Sequence, residues 1–550
     1  MPALPMGAEV ILAAGLIGIA LVVGLATAGH YGLTVDEFNT DDYGPKALAW
    51  YLSGGTDRSH FETVEEFLWY YGPWHQILTA MVQSLGLTDP ITVRHAMTFM
   101  TGLAGLAALV PIALLSVGRW AGPIAIALCL LTGYFYGSLF FTPIDVPFMA
   151  AMSWATCAIL LMARRDVPAW PATVAAGLLT GLAMATRTGG IITHAYLIGA
   201  MALCALDVVI RKPGAAAQPL ARIALRTLAA MALAWITMIA LWPWLQIGNP
   251  FRQFAIAYAH FTSNPMKFGF PSWGEMVMTN DLPWHYVPGQ FLARLPEGFL
   301  LLLGIGLFAA LATAARFAFA ALRRFRQRGS EGLKAPALAL ARARGTLLVL
   351  AAALVPIGFV IVTQATHYDG VRHLLFVIPM LAVLAGGAAL RLVPLLRKFP
   401  LVAATAVVAA AAHMGVTAVT LARLHPLEYV AMNSLAGGTA GAADRFELDY
   451  WAVAASEALR RLEHRLDHDA SGRFAVHRPR VLVCITHREW VADRLFRRNW
   501  VVVTDPAEAD FIITSERWDC GVDGKMAPID EVKRAGVAFA RIYDTRGRVN

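Results

Sequence analysis

The sequence has few charged residues for its length. Of its 550 residues, only 15% are Asp, Glu, Lys or Arg, whereas 57% are hydrophobic. A soluble chain of this size would divide into several domains and would carry far more charge. The composition therefore excludes a soluble protein and indicates an integral membrane protein.

Cysteine is also scarce, with five residues. Cys129, Cys157 and Cys204 lie in apolar runs, where a free thiol behaves as a small hydrophobic group. Cys484 and Cys520 are too widely spaced for a metal knuckle, which leaves one disulfide between them open. The net charge of +8 does not indicate nucleic-acid binding, because Lys and Arg are distributed by membrane side.

The sequence contains apolar runs of roughly 17–22 residues, each long enough to cross a bilayer. They predict an α-helical, polytopic membrane protein with about eleven transmembrane helices. These spans are 10–28, 96–117, 123–140, 147–162, 172–185, 191–209, 228–245, 299–314, 346–362, 374–390 and 401–421.

Basic residues in the short connections predict the orientation. They follow the even-numbered spans, at Arg164, Arg165, Arg211, Lys212, Arg323, Arg324, Arg326, Arg328, Arg397 and Lys398. This side is therefore predicted to be cytoplasmic. The outer loops 30–94 and 248–298, the turn 364–373 and the tail after Arg423 then lie on the opposite face.

The first span has two interpretations. Ala26-Thr27-Ala28 is typical of a signal-peptide cleavage site, but the preceding segment carries Glu9 and no basic residue. The apolar run is also long for a signal peptide, so we favour an uncleaved anchor.

Asp36 and Glu37 follow the first span, in a loop that also contains Tyr71 and His75. A solvated loop with aromatic anchors at the membrane surface would have the same composition. A membrane enzyme acting on a lipid-bound sugar would also place carboxylates here. The other outer connections favour the second interpretation.

Three of these connections carry further polar residues. Asp145 lies in the short turn after the third span, where a helix cap is the simpler explanation. Trp284, His285 and Tyr286 precede the eighth span, where aromatic residues usually serve as interface anchors. The third connection, 367–373, contains Tyr368, Arg372 and His373.

Arg187 lies at the outer end of the fifth span, where the positive-inside rule predicts no basic residue. A guanidinium there suits an anionic partner such as a lipid phosphate, which it can bind through two hydrogen bonds. Pairing with a carboxylate is the alternative.

In these motifs the chain resembles the GT-C fold membrane glycosyltransferases that use polyprenyl-phosphate sugars, such as protein O-mannosyltransferases and aminoarabinose transferases. The motifs are Asp36-Glu37, Thr142-Pro143-Ile144-Asp145-Val146-Pro147-Phe148, 282–288, 368–373, His425-Pro426 with Asn433 and Gly437-Gly438, and Leu448-Asp449-Tyr450-Trp451. One departure is that Thr142 and Ile144 stand where many relatives have Asn and Lys.

The resemblance implies transfer of a sugar, with inversion, to an acceptor hydroxyl of a glycolipid, a polysaccharide or a protein. Asp36 would be the general base, and Glu37 and Asp145 would orient hydroxyls. Arg187, Arg372 and His373 would bind the carrier phosphate. The sugar or acceptor would contact Tyr71, His75, Trp284, His285, Tyr286 and Tyr368.

Some relatives use a divalent metal, but the sequence shows no paired ligands at metal-binding spacing. We therefore expect no tightly bound metal and no cofactor. Residues 1–423 would form the transmembrane domain in the inner (cytoplasmic) membrane, with its active site on the periplasmic or extracytoplasmic side. The partners would be the lipid-linked donor, the acceptor and membrane lipids, with no nucleic acid.

The tail, 424–550, has a different composition, with strand-like runs at 480–485, 500–504 and 509–514 and a helical pattern at 451–466. Its roughly 125 residues suffice for a small extracytoplasmic α/β domain. It contains no Gly-rich phosphate loop, which disfavours a soluble nucleotide-sugar donor.

Two other classes of protein fit the sequence less well. A transporter or flippase of lipid-linked sugars would carry ionisable residues near the bilayer midplane and some repeat symmetry, and neither is evident. A scaffold that only anchors the tail domain would not need eleven spans.

Overall fold

The computed structural model describes residues 7–62, 66–262, 267–468, 478–486, 494–495, 500–522 and 524–546. Within them, nine helices are long and apolar enough to cross a membrane. These are Ala8–His30, Pro90–Ser116, Asp145–Ala163, Thr188–Arg211, Ala217–Leu241, Glu297–Arg342, Arg344–Thr363, Arg372–Leu396 and Pro400–Leu424. They give the bundle its polytopic architecture.

Two further apolar segments complete the set of eleven predicted spans. The third span is a pair of helices, Ala121–Leu130 and Gly133–Phe141, bent by 74° at the break between them. The fifth span is the shorter helix Trp170–Thr186. All eleven predicted spans therefore coincide with helices, and among the described residues nine of these, or ten with the bent pair, are able to cross a membrane. The predicted α-helical, polytopic membrane fold is confirmed.

The fourth span lies in the interior of the bundle. Most of the Asp145–Ala163 helix is buried inside the protein, as expected for an apolar helix surrounded by other spans. The last span, Pro400–Leu424, is almost entirely exposed, with Leu401, Val402 and Val407 among its exposed side chains. Its apolar surface suits contact with lipid, because in a membrane the surrounding hydrocarbon is as apolar as leucine.

The connections after the first and seventh spans form a cap of short helices and a hairpin. The helices are Val35–Asp41, Tyr43–Leu52, Ser59–Glu62, Glu66–Trp69, Trp74–Gln83, Pro243–Gln246, Pro250–Thr262 and Tyr286–Arg294. Strands β1 (Gly269–Ser272) and β2 (Glu275–Met278) pair antiparallel around Trp273 and Gly274, both of which have positive φ. This is the geometry of a tight two-residue turn.

The tail begins with the short helices Glu428–Val430, Ser434–Ala436 and Gly438–Ala442 and continues with the helix Val453–Asp467. A sheet follows, and its five described strands are β3 (Arg480–Val483), β4 (Val501–Val502), β5 (Phe511–Ser515), β6 (Asp530–Arg534) and β7 (Val537–Asp544). Their order across the sheet is β4-β3-β5-β7-β6. Strands β4, β3 and β5 are parallel, whereas β7 pairs antiparallel with β5 and β6.

The tail packs directly on the bundle. The rings of Tyr429 and Trp451 lie 5.1 and 5.2 Å from that of Phe141 at the end of the third span. Cys484 and Cys520, the pair left open by the sequence, form a disulfide. It links the end of β3 to the segment after β5, and both segments contribute to the cavity described next.

Candidate active site

A cavity of about 480 Å³ lies at the end of the bundle where the first, third, fifth and ninth spans connect to the next. Its polar lining comes from these four connections, from the loops beside them and from the tail. These residues are Asp36, Tyr71, Thr142, Asp145, Arg187, His260, Tyr368, Asp369, Arg372, His373, Thr486 and Arg517. Seven of the twelve predicted site residues are therefore brought together here.

Asp36 reaches the cavity from the start of the Val35–Asp41 helix, whose first turn favours a negative charge. Its Oδ2 accepts hydrogen bonds from Arg372 Nη1 and, at 3.2 Å, from Trp451 Nε1. Within the described chain, Oδ1 has no hydrogen-bond donor. The side chain is 39% exposed, compared with 12% for Asp145 and 4% for Asp369. Asp36 is thus the carboxylate best placed to take a proton from a bound molecule.

Glu37 is directed away from the cavity, contrary to the role expected from the sequence. Its carboxylate is fully buried and accepts hydrogen bonds from Thr34 N at 2.8 Å, in a capping box, and contacts His95 Nε2 at 3.0 Å. Arg94 lies 3.6 Å away. A helix turns by about 100° per residue, so two adjacent acids cannot face the same site. Glu37 holds the helix on the second span.

Arg372 is positioned by two carboxylates. It pairs with Asp36 through Nη1, and its Nε lies 3.3 Å from Asp369 Oδ2. Its guanidinium also lies over the Tyr368 ring, 4.8 Å from the centroid. In the described chain, Arg372 Nη2 has no hydrogen-bond acceptor. One face of this group therefore remains available to an anion.

The turn that carries Arg372 has an unusual backbone. Asp369 and Gly370 both have positive φ, and a Cβ on Gly370 would lie 3.0 Å from Arg294 Nε, so glycine is required there. The hydroxyls of Tyr134 and Tyr286 donate to the carbonyls of Asp369 and Gly370 at 3.0 and 3.1 Å. Hydrogen bonds from two buried tyrosines thus fix the backbone of this turn.

Arg187 follows the fifth span, where its extended backbone ends the helix. Its Nη1 donates to Asp145 Oδ1 at 2.7 Å, and its guanidinium lies 5.8 Å from the Tyr71 ring centroid. In the described chain, Nε and Nη2 have no acceptor. The alternative of pairing with a carboxylate is therefore observed, and among the described residues the guanidinium keeps further N–H donors without an acceptor.

Close packing brings Tyr71 and Arg187 together. A Cβ on Gly72 would overlap the carbonyl oxygen of Ala185, at 1.4 Å, so the first outer loop can approach the fifth span only through a glycine. Trp74 Nε1 also donates to Thr186 Oγ1 at 2.7 Å. Burial raises the pKa of Tyr71 to about 12, so its hydroxyl stays protonated and can donate a hydrogen bond.

A third arginine, Arg517, enters the cavity from the tail. Its Nη2 donates to Asp369 Oδ1 at 2.5 Å, and it makes two hydrogen bonds to Glu447, at 2.5 and 2.6 Å. These carboxylates raise the pKa of Arg517 against the opposing effect of burial. The result is a continuous chain of charges from Arg517 through Asp369 and Arg372 to Asp36.

The sequence did not identify Arg517, Thr486 or Trp518 as site residues. Arg517 and Trp518 follow the carboxyl end of β5, and Thr486 follows β3, so the available signal was their position beyond parallel strand ends. Residues at the carboxyl ends of parallel strands meet at one edge of a sheet. No pattern in the sequence shows that this edge faces the bundle.

Other predicted residues lie outside the cavity lining. His75 is buried in the first outer loop, and burial lowers its pKa to about 4. Trp284 and His285 are exposed in the second outer loop. Tyr286 acts indirectly, through its hydrogen bond to Gly370. Among the described residues, no group of three His, Cys, Asp or Glu side chains is placed to hold a metal ion.

No protein-family model matches the sequence, and no curated protein matches it. The chain is similar to the solved structure of ArnT from Cupriavidus metallidurans bound to undecaprenyl phosphate, with 16% identity, a TM-score of 0.46, and coverage of 96% of this chain and 97% of that one. It is also similar to the archaeal oligosaccharyltransferase AglB from Archaeoglobus fulgidus in complex with an inhibitory peptide and a dolichol-phosphate, with 12% identity, a TM-score of 0.44, and coverage of 92% and 69%.

Proposed function

We propose that this chain is a glycosyltransferase that moves a sugar from a polyprenyl-phosphate carrier to an acceptor hydroxyl at the outer face of the membrane. The observation that supports this function most directly is the free Oδ1 of Asp36 beside guanidinium groups with free donors. A base and an anion site in one cavity, at a membrane surface, suit a lipid-linked phosphate donor.

In the proposed reaction, Asp36 Oδ1 accepts the proton of the acceptor hydroxyl as the hydroxyl oxygen attacks the anomeric carbon. The bond between that carbon and the carrier phosphate breaks, and its electron pair passes to the phosphate oxygen. The attack comes from the face opposite the leaving group, so the configuration inverts. A phosphate is already a good leaving group, so no strong acid is required.

The negative charge on the phosphate grows as the bond breaks. Arg187 Nη2 and Nε and Arg372 Nη2 offer donors for this charge in a partly dehydrated cavity, where such contacts are stronger than in water. They also replace the Lys that many relatives carry where this chain has Ile144. Asp145 would orient Arg187 by the 2.7 Å hydrogen bond described above.

The test combines the purified protein in detergent with a panel of polyprenyl-phosphate sugars and candidate acceptors. The expected products are free polyprenyl phosphate and a glycosylated acceptor in equal amounts, with both formed far more slowly by Asp36→Asn. Equal carrier release by the variant would contradict the role of Asp36. Movement of intact lipid-linked sugar across proteoliposomes, without carrier release, would favour a flippase.

A further inference from the structure

A second cavity, of about 330 Å³, lies at the opposite end of the bundle from the candidate active site. Its walls come from the connections that follow even-numbered spans. Leu115 ends the second span, Arg164 follows the fourth, Asp207 lies near the end of the sixth, and Arg344 begins the ninth. This is the end predicted to face the cytoplasm.

Two acids in this cavity are already neutralised. Arg211 donates to Asp166 Oδ1 at 2.7 Å and to Asp207 Oδ1 at 3.0 Å. Arg344 Nη1 lies 3.6 Å from Asp207 Oδ2, and its Nε donates to the Ala163 carbonyl at 2.6 Å. These two arginines therefore act within the protein, where they join the ends of neighbouring spans.

Two more arginines, Arg164 and Arg342, line the same cavity and have no ion-pair partner in the described part of the chain. Both are exposed. The cavity thus holds two unneutralised positive charges beside the apolar side chains of Leu115 and Leu160. The positive-inside rule accounts for basic residues at this end, but it does not require two of them to converge on one cavity.

We propose that this cavity binds a phosphate group, carried either by an anionic phospholipid or by a soluble compound, through Arg164 and Arg342. A guanidinium matches a phosphate through two parallel hydrogen bonds. The cavity volume falls within the roughly 300–1,000 Å³ typical of small-molecule sites, so it accommodates more than the phosphate alone. Basic pockets between transmembrane helices at this face are known to suit lipid headgroups. This binding does not depend on glycosyl transfer.

The test uses the full-length purified protein and compares it with the double variant R164Q/R342Q. Native mass spectrometry counts bound phosphatidylglycerol, with phosphatidylcholine as the neutral reference. A separate arm measures thermal stabilisation by inorganic phosphate and by glycerol phosphate. The matched control is Arg165→Gln, because Arg165 is exposed and adjacent in sequence but does not line the cavity.

We expect the double variant to bind the effective anion about tenfold more weakly, while Arg165→Gln behaves as the wild type. Saturable binding of phosphatidylglycerol alone identifies a lipid headgroup site, and stabilisation by the soluble phosphates identifies a soluble ligand. The proposal is overturned if neither anion distinguishes the double variant from the wild type, or if Arg165→Gln loses as much binding.

Discussion

The cavities at the two ends of the bundle are both lined by aspartates and arginines, but in different ratios. Among the described residues, the candidate active-site cavity is lined by three aspartates and three arginines, and each arginine contacts an aspartate. The described lining of the cavity at the opposite end has two aspartates and four arginines. In the first cavity, called the balanced cavity below, equal numbers of aspartates and arginines leave a carboxylate oxygen and N–H donors unpaired side by side, an arrangement that suits acid–base catalysis. In the second cavity the excess of arginines can only attract an anion.

The largest effect is expected from Asp36, which carries the free oxygen of the balanced cavity. Asp36→Asn keeps the shape but loses the base, and should lower kcat by about 10²–10⁴-fold, the usual contribution of general-base catalysis. Carrier binding should fall less. Activity is measured by carrier release, with thermal melting to confirm folding.

The control for that experiment is Asp42→Asn, whose side chain lies in the same loop, is 71% exposed and does not line the cavity. It should leave kcat unchanged. Near-normal turnover by Asp36→Asn would show that the two ends of the bundle do not differ as a catalytic end and a binding end.

Glu37, the neighbour of Asp36, should behave in the opposite way. Glu37→Gln removes the negative charge of a fully buried carboxylate that contacts Arg94 and His95, and breaking a buried ion pair typically costs about 3–5 kcal/mol of stability. The melting temperature should fall, while the remaining folded protein keeps its kcat per molecule. Glu62→Gln is the control, because Glu62 is exposed in the same loop. A large loss of kcat without a loss of stability would restore Glu37 to the active site.

The two adjacent acids also show what a sequence can and cannot reveal. The length of the apolar runs predicted eleven helical segments, and among the described residues nine of them are single helices long and apolar enough to cross a bilayer. The prediction succeeds for these because the bilayer imposes that length on any helix that crosses it. Alternation of the connections then placed Asp36, Asp145, Arg187 and Arg372 on one face. The sequence could not show that Glu37 is turned inward, because that depends on His95 in another span. Arg517 was missed for a similar reason, since its contact with Asp369 joins residues 148 positions apart.

Arg517 offers a smaller and more specific test of the balanced cavity. It contacts Asp369, which in turn holds Arg372, so Arg517 is a positioning residue. Arg517→Gln and Asp369→Asn should each weaken carrier binding more than kcat. Combined, they should show a coupling of about 0.5–3 kcal/mol, as expected for residues in one charge network. Binding is measured by titration of polyprenyl phosphate.

Arg480→Gln is the control for Arg517, because Arg480 lies in the same tail and its side chain, among the described residues, pairs only with the exposed Glu508. Exposed pairs contribute about 0–1 kcal/mol, so this change should have little effect. If the free-energy changes of the Arg517 and Asp369 variants were strictly additive, Arg517 would not help to position Arg372 through Asp369.

A pH dependence is also expected at the candidate active-site end of the bundle, and it develops gradually over several pH units. Burial lowers the pKa of His60, His75 and His367 to about 4 each, and all three lie in connections on that side. Their pKa is lower in the folded state than in the unfolded one, so the unfolded chain binds more protons between about pH 4 and 6.5. Stability should therefore fall as the pH drops through this window, by up to about 1.4 kcal/mol per pH unit for each histidine.

Melting measured from pH 7.5 to 4.5 should show a shallower decline for His75→Gln than for the wild type. His285→Gln, at an exposed histidine in the same set of outer loops, should follow the wild type; equal slopes for all three proteins would show that the buried histidines do not govern acid sensitivity.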